Sequence, residues 1–178
     1  MRSKVQILSP RPFYFLKGLR QKESPDGTFK PGATVTRAEF ATMLVNALGQ
    51  NTAGTTGQFT DVTPDSWCYN SVNTAVYAGL VSGTGDHLFA PNAAITREQM
   101  AVMVAHALGT RAPTVDGTEL TAFSDRSAVS SWAVTGMEEG VKSGIVSGMN
   151  TDTLAPDDDA TRAQAAVMIY KMLTVLGK

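Results

Sequence analysis

The sequence predicts an all-α fold built from tandem helix–loop–helix repeats. Two observations carry this prediction: a motif that recurs three times, and apolar residues at helical spacing within each copy. The motif ends in Thr-Arg at residues 36–37, 96–97 and 161–162, so successive copies are offset by 60 and 65 residues. A two-helix unit cannot bury its apolar face alone, so the copies are expected to pack against one another.

The repeats divide the chain into segments of different completeness. Two complete copies span residues 59–109 and 123–175, and residues 26–49 hold a partial first copy without a Phe-x-Asp motif or a tryptophan. Residues 1–25 form an atypical N-terminal segment in which no secretory signal is recognised. The first thirty residues carry seven Lys or Arg and two acidic residues, whereas the rest carries eight and fourteen. This contrast favours a chain that is a piece of a longer secreted protein, or one whose start is misassigned.

Composition excludes several classes of function. No apolar run reaches about 18 residues, so no membrane insertion is expected. The net charge of −1 argues against a general nucleic-acid-binding surface. Cys68 is the only cysteine, and His87 and His106 lack the spacing of metal ligands, so no disulfide framework or metal site is predicted. Because the sequence offers no catalytic set of side chains, we expect neither enzymatic activity nor a cofactor.

Each complete copy is predicted to contain two helices. The first has one apolar face, which includes Cys68, Val72 and Leu80 in the second copy. The second has a stronger apolar stripe, and its methionines are expected to pack in the core. The stripe recurs in all three copies, as Phe40, Met43, Leu44, Ala47 and Leu48, as Met100, Met103, Val104, Ala107 and Leu108, and as Ala165, Met168, Ile169, Met172 and Leu173.

A capping signature marks the start of each second helix. A threonine is the expected N-cap, and the Glu or Gln three residues later can accept a hydrogen bond from the N-cap amide. Gln99 and Gln164 stand where the first copy has Glu39, and either residue type is expected to close the capping box. The predicted N-caps are Thr36, Thr96 and Thr161.

The residue after each N-cap is an arginine: Arg37, Arg97 and Arg162. A cation at this first helical position is disfavoured by about 0.3–1 kcal/mol, because the helix macrodipole places partial positive charge at this end. Two compensations remain open. An anionic ligand could bind the arginine together with the free helix amides, or the arginine could pair with an acid of a neighbouring copy, for instance Asp61 or Asp125.

Two tryptophans and two glycines recur around the first helix. Trp67 and Trp132 at its start are either core residues or the floor of a sugar site. Gly83 and Gly148 after it are either helix stops or positions where a ligand approaches the backbone closely.

These motifs, in this order and spacing, resemble those of the S-layer homology family. The family repeat has a Phe-x-Asp start, a helix led by tryptophan, a glycine-rich turn, a Phe-x-Pro loop and a Thr-Arg-Ala-Glu helix start. The resemblance covers roughly residues 26–175. The matching residues are Phe59, Asp61, Trp67, Gly79, Gly83, Phe89, Pro91, Thr96 and Arg97 in the second copy, and Phe123, Asp125, Trp132, Gly144, Gly148, Leu154, Pro156, Thr161 and Arg162 in the third.

The resemblance implies three repeats packed as a pseudo-threefold helical spindle. The grooves between repeats would bind an anionic, pyruvylated secondary cell wall polysaccharide, without catalysis, at the extracellular bacterial cell wall or S-layer. Further implied partners are a longer parent protein and S-layer neighbours. Because the first copy lacks its first half, one groove is expected to lack a wall unless residues 1–25 supply a substitute.

The resemblance also implies a role for each recurring residue type. The arginines would pair with the ketal carboxylate, the tryptophans would support the sugar, and the glycines would let it approach. The alternative is a surface-layer self-assembly or protein-interaction module whose arginines form internal salt bridges. The candidate ligand-binding residues are Arg37, Arg97, Arg162, Trp67, Trp132, Asp61, Asp125, Gly83 and Gly148.

Overall fold

Residues 29–50 and 56–178 are described in a computed structural model of the chain. Across these ranges the chain forms five α-helices and two 3-10 turns, with isolated β-bridges and no strand. The predicted all-α class is therefore confirmed. The helices are α1 (Arg37–Leu48), α2 (Tyr69–Tyr77), α3 (Arg97–Leu108), α4 (Val134–Lys142) and α5 (Arg162–Val175), and the 3-10 turns are Gly109–Arg111 and Arg126–Ala128.

The helices pack in pairs across repeat boundaries, α2 on α1 and α4 on α3. Gly136 of α4 lies against Val102 of α3, where a Cβ atom would come within 2.9 Å of the valine side chain. The equivalent position on α5 is Val167, which is 53% exposed. The repeat order would place the first helix of the first repeat here, and residues 1–25, from which a substitute would have to come, lie outside the described residues.

A closed ring of hydrogen bonds joins the three repeats at their centre. Val35 N donates to Ala160 O at 3.0 Å, Ala160 N donates to Ile95 O at 2.8 Å, and Ile95 N donates to Val35 O at 3.0 Å. Each of these residues precedes an N-cap, and all three are fully buried. Because the ring closes after three equivalent steps, the repeats are related by a pseudo-threefold axis, as expected of a helical spindle.

The capped helices begin where the sequence predicts. Two of the capping boxes are complete, those of Thr36 with Glu39 and of Thr161 with Gln164. At the third, the Thr96 hydroxyl accepts from the Gln99 amide at 3.3 Å, but the Gln99 side-chain oxygen accepts from Arg37. The expectation that Gln99 closes its box is therefore wrong, because a guanidinium from the preceding repeat binds this oxygen.

The repeated methionines are buried, as the apolar stripe predicts: Met43, Met100, Met103, Met168 and Met172. The thiol of Cys68 is also buried. Over the described ranges, no helix is long and apolar enough to cross a membrane. The same ranges hold no cluster of three or more potential metal-binding side chains.

Candidate functional site: the grooves between repeats

The first amides of each capped helix already donate to protein oxygens. In α1, Arg37 N donates to Ala93 O at 3.0 Å and Ala38 N donates to Pro91 O at 3.2 Å, both in the loop of the next repeat. The equivalent bonds join Arg97 N to Asp158 O, Glu98 N to Pro156 O, Arg162 N to Ala33 O and Ala163 N to Pro31 O. The third amide of each helix donates to the N-cap threonine. The hypothesis that an anion binds free amides at these helix starts is therefore wrong.

The guanidinium of Arg37 lies between two repeats and is 5% exposed. Its Nε donates to Phe89 O at 2.9 Å, and its Nη2 donates to Ser82 O at 3.1 Å. Its Nη1 donates to Gln99 Oε1 at 3.0 Å. The guanidinium carbon also lies 4.9 Å from the centroid of the Phe89 ring, a cation–π contact. Each of the three nitrogens thus has a partner in the second repeat.

The other two arginines repeat this arrangement around the axis. Arg97 Nε donates to Leu154 O at 2.8 Å and its Nη2 donates to Ser147 O at 2.8 Å, both in the third repeat. Arg162 Nε donates to Phe29 O at 2.8 Å, which closes the cycle on the first repeat. Each arginine therefore bridges its own helix to the loop of the next repeat.

The internal partners differ from the predicted ones. Among the described residues no carboxylate forms an ion pair with Arg37 or Arg97, and their bonded partners are backbone or amide oxygens. Burial lowers the pKa of both guanidinium groups, and nearby carboxylates, Asp61 for Arg37 and Asp158 then Asp125 for Arg97, oppose that shift. Arginine stays charged under these conditions, so the junctions of Arg37 and Arg97 each contain a fixed cation without a bonded counterion among the described residues.

Asp61 and Asp125 bind the loops that the arginines reach. Asp61 accepts from Phe89 N at 2.9 Å and from Ala90 N at 2.7 Å, and Asp125 makes the equivalent bonds to Leu154 N and Ala155 N. Ala90 and Ala155 have φ of 57° and 50°, a left-handed conformation that alanine rarely adopts. Burial tends to raise the pKa of Asp125, but the two amide bonds and the charge of Arg97 outweigh it, and the net pKa is lowered. The aspartates thus shape the loops rather than face a ligand.

At Gly83 and Gly148 the space that a side chain would need is occupied by other atoms of the protein. A Cβ atom at Gly83 would lie 2.6 Å from Leu88 O and 2.6 Å from the Phe59 ring. At Gly148 it would collide with the backbone oxygens of Asn150 and Thr153. Both glycines therefore allow a tight loop to close, and each also lines one of the two grooves defined next.

Groove 1 is a cavity of about 560 Å³ that is lined mostly by the second repeat, with Arg37 of the first repeat and Trp132 of the third at its walls. Its lining includes Arg37, Ser82, Gly83, Gln99, His106 and Trp132. A neighbouring cavity of about 400 Å³ between α3 and α4 shares His106 and Trp132 with it. Groove 1 is thus continued along the contact of these two helices.

Groove 2 is the equivalent cavity between the second and third repeats and has a volume of about 280 Å³. Its lining includes Arg97, Ser147, Gly148, Gln164, Met168 and Lys171. Arg97 Nη1 has no hydrogen-bond partner among the described residues, because Gln164 is engaged in its own capping box. A cationic donor is therefore available at the wall of groove 2.

Both tryptophans are exposed, so of the two alternatives for them the core position is wrong. Trp132 is 56% exposed and lines groove 1. Trp67 is 40% exposed and lines neither groove. Each lies two residues before its helix, at Tyr69 or Val134, so the apolar face of the helix does not extend to it.

Two groove residues, His106 and Lys171, were not among the predicted site residues, and His106 was considered only as a metal ligand. They occupy equivalent positions on α3 and α5, seven residues after Gln99 and Gln164. The first repeat has Asn46 at this position, so all three second helices carry a polar side chain between apolar neighbours. This recurring polar position was the sequence signal that could have identified His106 and Lys171.

The fold and its grooves define a class: an all-α repeat module with cationic clefts between interlocked copies. The family model of the S-layer homology domain matches residues 22–41, 58–101 and 122–166. The chain belongs to this family, whose members are proteins of the bacterial cell surface.

Curated relatives carry the same repeats within longer chains. An amylopullulanase of Thermoanaerobacterium thermosulfurigenes is 36% identical over 97% of this chain and 9% of its own length. A surface-layer 125 kDa protein of Lysinibacillus sphaericus is 32% identical over 83% of this chain and 12% of its own. A cellulosome-anchoring protein of Acetivibrio thermocellus is 35% identical over 89% of this chain and 35% of its own. The chain therefore spans only a small part of these relatives.

Proposed function

We propose that this chain is a non-catalytic anchoring module that binds an anionic, pyruvylated secondary cell wall polysaccharide in grooves 1 and 2. The observation that carries the proposal is Arg97, a guanidinium held on its inner side by two backbone oxygens while Nη1 remains without a protein partner at the wall of groove 2. Its charge is not cancelled by a bonded carboxylate among the described residues. An incoming carboxylate would meet a donor that needs no rearrangement.

The location of this donor favours a polymer end over a small free ion. The cavities of about 560 and 280 Å³ are large enough for sugar rings. Trp132 offers groove 1 an exposed aromatic face of the kind that supports sugars. Relatives named as surface-layer and cellulosome-anchoring proteins contain the same repeat, which supports an anchoring role.

Co-sedimentation with purified wall sacculi tests the proposal. The wild-type chain should pellet with native sacculi and remain soluble after chemical removal of the ketal. Arg97→Gln should weaken pelleting, because it removes the cation from groove 2. Arg111→Gln removes the same charge from an exposed arginine outside both grooves and is the matched control. Equal pelleting by wild type and a folded Arg97→Gln variant would contradict the assignment of groove 2.

A second candidate is a self-assembly or protein-interaction module in which the arginines act only inside the fold. It is favoured by one observation, that Nε of each of the three repeat arginines donates to a backbone oxygen of the next repeat. Under this alternative, Arg97→Gln lowers the melting temperature without changing polymer binding. Thermal unfolding and sedimentation of the same variant, with binding measured well below its melting temperature, therefore separate the two candidates.

A further inference from the structure

Grooves 1 and 2 are equivalent by repeat but differ in charge. Groove 2 has Lys171 where groove 1 has His106. Lysine is a permanent cation at neutral pH, whereas histidine is mostly neutral there unless its surroundings stabilise the charged form. Groove 2 therefore combines Arg97 with a lysine, whereas groove 1 combines Arg37 with a histidine.

The two cations of groove 2 converge on a single residue. Lys171 Nζ donates to Ser147 Oγ at 2.9 Å, and Arg97 Nη2 donates to Ser147 O at 2.8 Å. Like charges repel, so this approach costs energy unless an anion joins them. Among the described residues, Lys171 and Arg97 form no ion pair with a carboxylate, and Asp125 is already bonded to two loop amides. Asp158, the carboxylate whose charge acts most strongly on Arg97, likewise makes no ion pair with either cation in the described part of the chain.

Groove 1 has a different character at the same place. His106 Nδ1 lies 3.3 Å from Leu80 O, and Glu139 of α4 is close enough for the two side chains to interact electrostatically. Arg37 has partners for all three nitrogens, including the neutral amide of Gln99. What groove 1 offers in addition is the exposed ring of Trp132 and about twice the volume.

We infer that Lys171 makes groove 2 the stronger anion site, which selects the oxyanion group of the polymer, while groove 1 binds mainly through the sugar face. This inference rests on the proposed function and deepens it. The ligand chemistry is an oxyanion carried on a saccharide, either a ketal carboxylate or a phosphate group. Lys171 and Arg97 would contact it from two sides.

Titration followed by NMR tests this inference groove by groove. The amide signals of Gly83 and Gly148 are local probes, since each glycine lines one groove. The probes to titrate are a short wall-polymer fragment with its pyruvate ketal, the same fragment without the ketal, and inorganic phosphate. We expect the Gly148 signal to saturate at a lower concentration of the ketal fragment than the Gly83 signal, and removal of the ketal to weaken groove 2 more.

Matched variants assign the effect to Lys171. Lys171→Gln should weaken binding in groove 2 about fivefold and leave groove 1 unchanged, whereas Lys171→Arg should retain most of it. His106→Lys should strengthen groove 1 for the ketal fragment. Added salt should weaken groove 2 more than groove 1, because screening acts on the extra charge.

The outcomes separate this inference from the proposed function. Binding in groove 2 that Lys171→Gln leaves unchanged overturns the inference and leaves the anchoring function standing. The absence of any shift with either fragment overturns the anchoring function. If inorganic phosphate then still shifts the Gly148 signal in wild type and not in Lys171→Gln, the two-cation site stands without the anchoring function.

Discussion

Replacement of Asp125 by asparagine should destabilise the third repeat and weaken groove 2. The carboxylate accepts from Leu154 N at 2.9 Å and from Ala155 N at 2.7 Å. Charge-assisted hydrogen bonds contribute about 1.5–3 kcal/mol each. One carboxylate oxygen, Oδ2, accepts from both amides, so asparagine with its oxygen at that place keeps two neutral hydrogen bonds. It loses the negative charge and points an NH₂ group at the Leu154 amide, so about 1–3 kcal/mol should be lost. The left-handed backbone of Ala155 makes compensation by the loop difficult.

The pH dependence of this loss has a defined sign. Folding lowers the pKa of Asp125, so its charge stabilises the native state above the pKa of the unfolded chain, and this contribution disappears as the pH falls through the lowered value. The free energy of unfolding should therefore differ between wild type and Asp125→Asn at pH 7, and the difference should shrink in acid. Urea denaturation at pH 7, 5 and 3 measures it.

A matched variant and a binding readout complete this experiment. Asp65→Asn alters an exposed aspartate and should change stability by less than about 0.5 kcal/mol. Because Leu154 O accepts from Arg97, loss of the loop geometry should also weaken polymer binding in groove 2. A difference between wild type and Asp125→Asn that is absent at pH 7, or constant from pH 7 to pH 3, would refute the reasoning.

Three further predictions concern the loops, the axis and groove 1. Gly83→Ala should lower the free energy of unfolding by about 1–3 kcal/mol, because the new Cβ meets Leu88 O. The control Gly32→Ala places its Cβ where no atom lies within 4 Å and should be neutral. Urea denaturation compares the two variants. Ile95→Ala should cost about 2–5 kcal/mol, since it leaves a cavity where the fully buried side chain packs; near-native stability in urea would contradict that packing. Trp132→Ala should change the melting temperature little and weaken polymer binding in groove 1, whereas Trp67→Ala should not; equal effects would remove Trp132 from the site.

The helix starts were predictable from sequence because their determinants are local. Thr36, Thr96 and Thr161 cap helices within three residues of themselves, and no knowledge of the fold is needed to place them. The side-chain half of each box was less predictable. The side-chain oxygen of Gln99 accepts a hydrogen bond from Arg37 instead of from its own N-cap amide. Arg37 lies 62 residues away in the chain, so this difference depends on how the repeats pack.

The partners of the arginines could not be predicted for a related reason. Sequence periodicity identifies side chains that recur, but a backbone oxygen has no sequence signature. Ser82 O and Phe89 O become acceptors only because Asp61 and Gly83 fold the loop toward α1. The partners expected for the arginines were therefore an acidic side chain or an anionic ligand, and backbone carbonyl groups were not among them.

The recurrence of arginine at the first helical position follows from this packing. The positive end of α1 is covered by Ala93 O and Pro91 O, whose partial negative charge offsets the macrodipole before any ligand arrives. Arg37 and Arg97 then use the inner edge of a planar guanidinium to bind further carbonyls of the same loops. A lysine could not do both, since its ammonium is one point charge, whereas arginine presents five donors in a fixed plane. The same side chain thus joins two repeats with its inner nitrogens and leaves Nη1 of Arg97 without a partner among the described residues, so one arginine can combine the bridging role with the binding role proposed for groove 2.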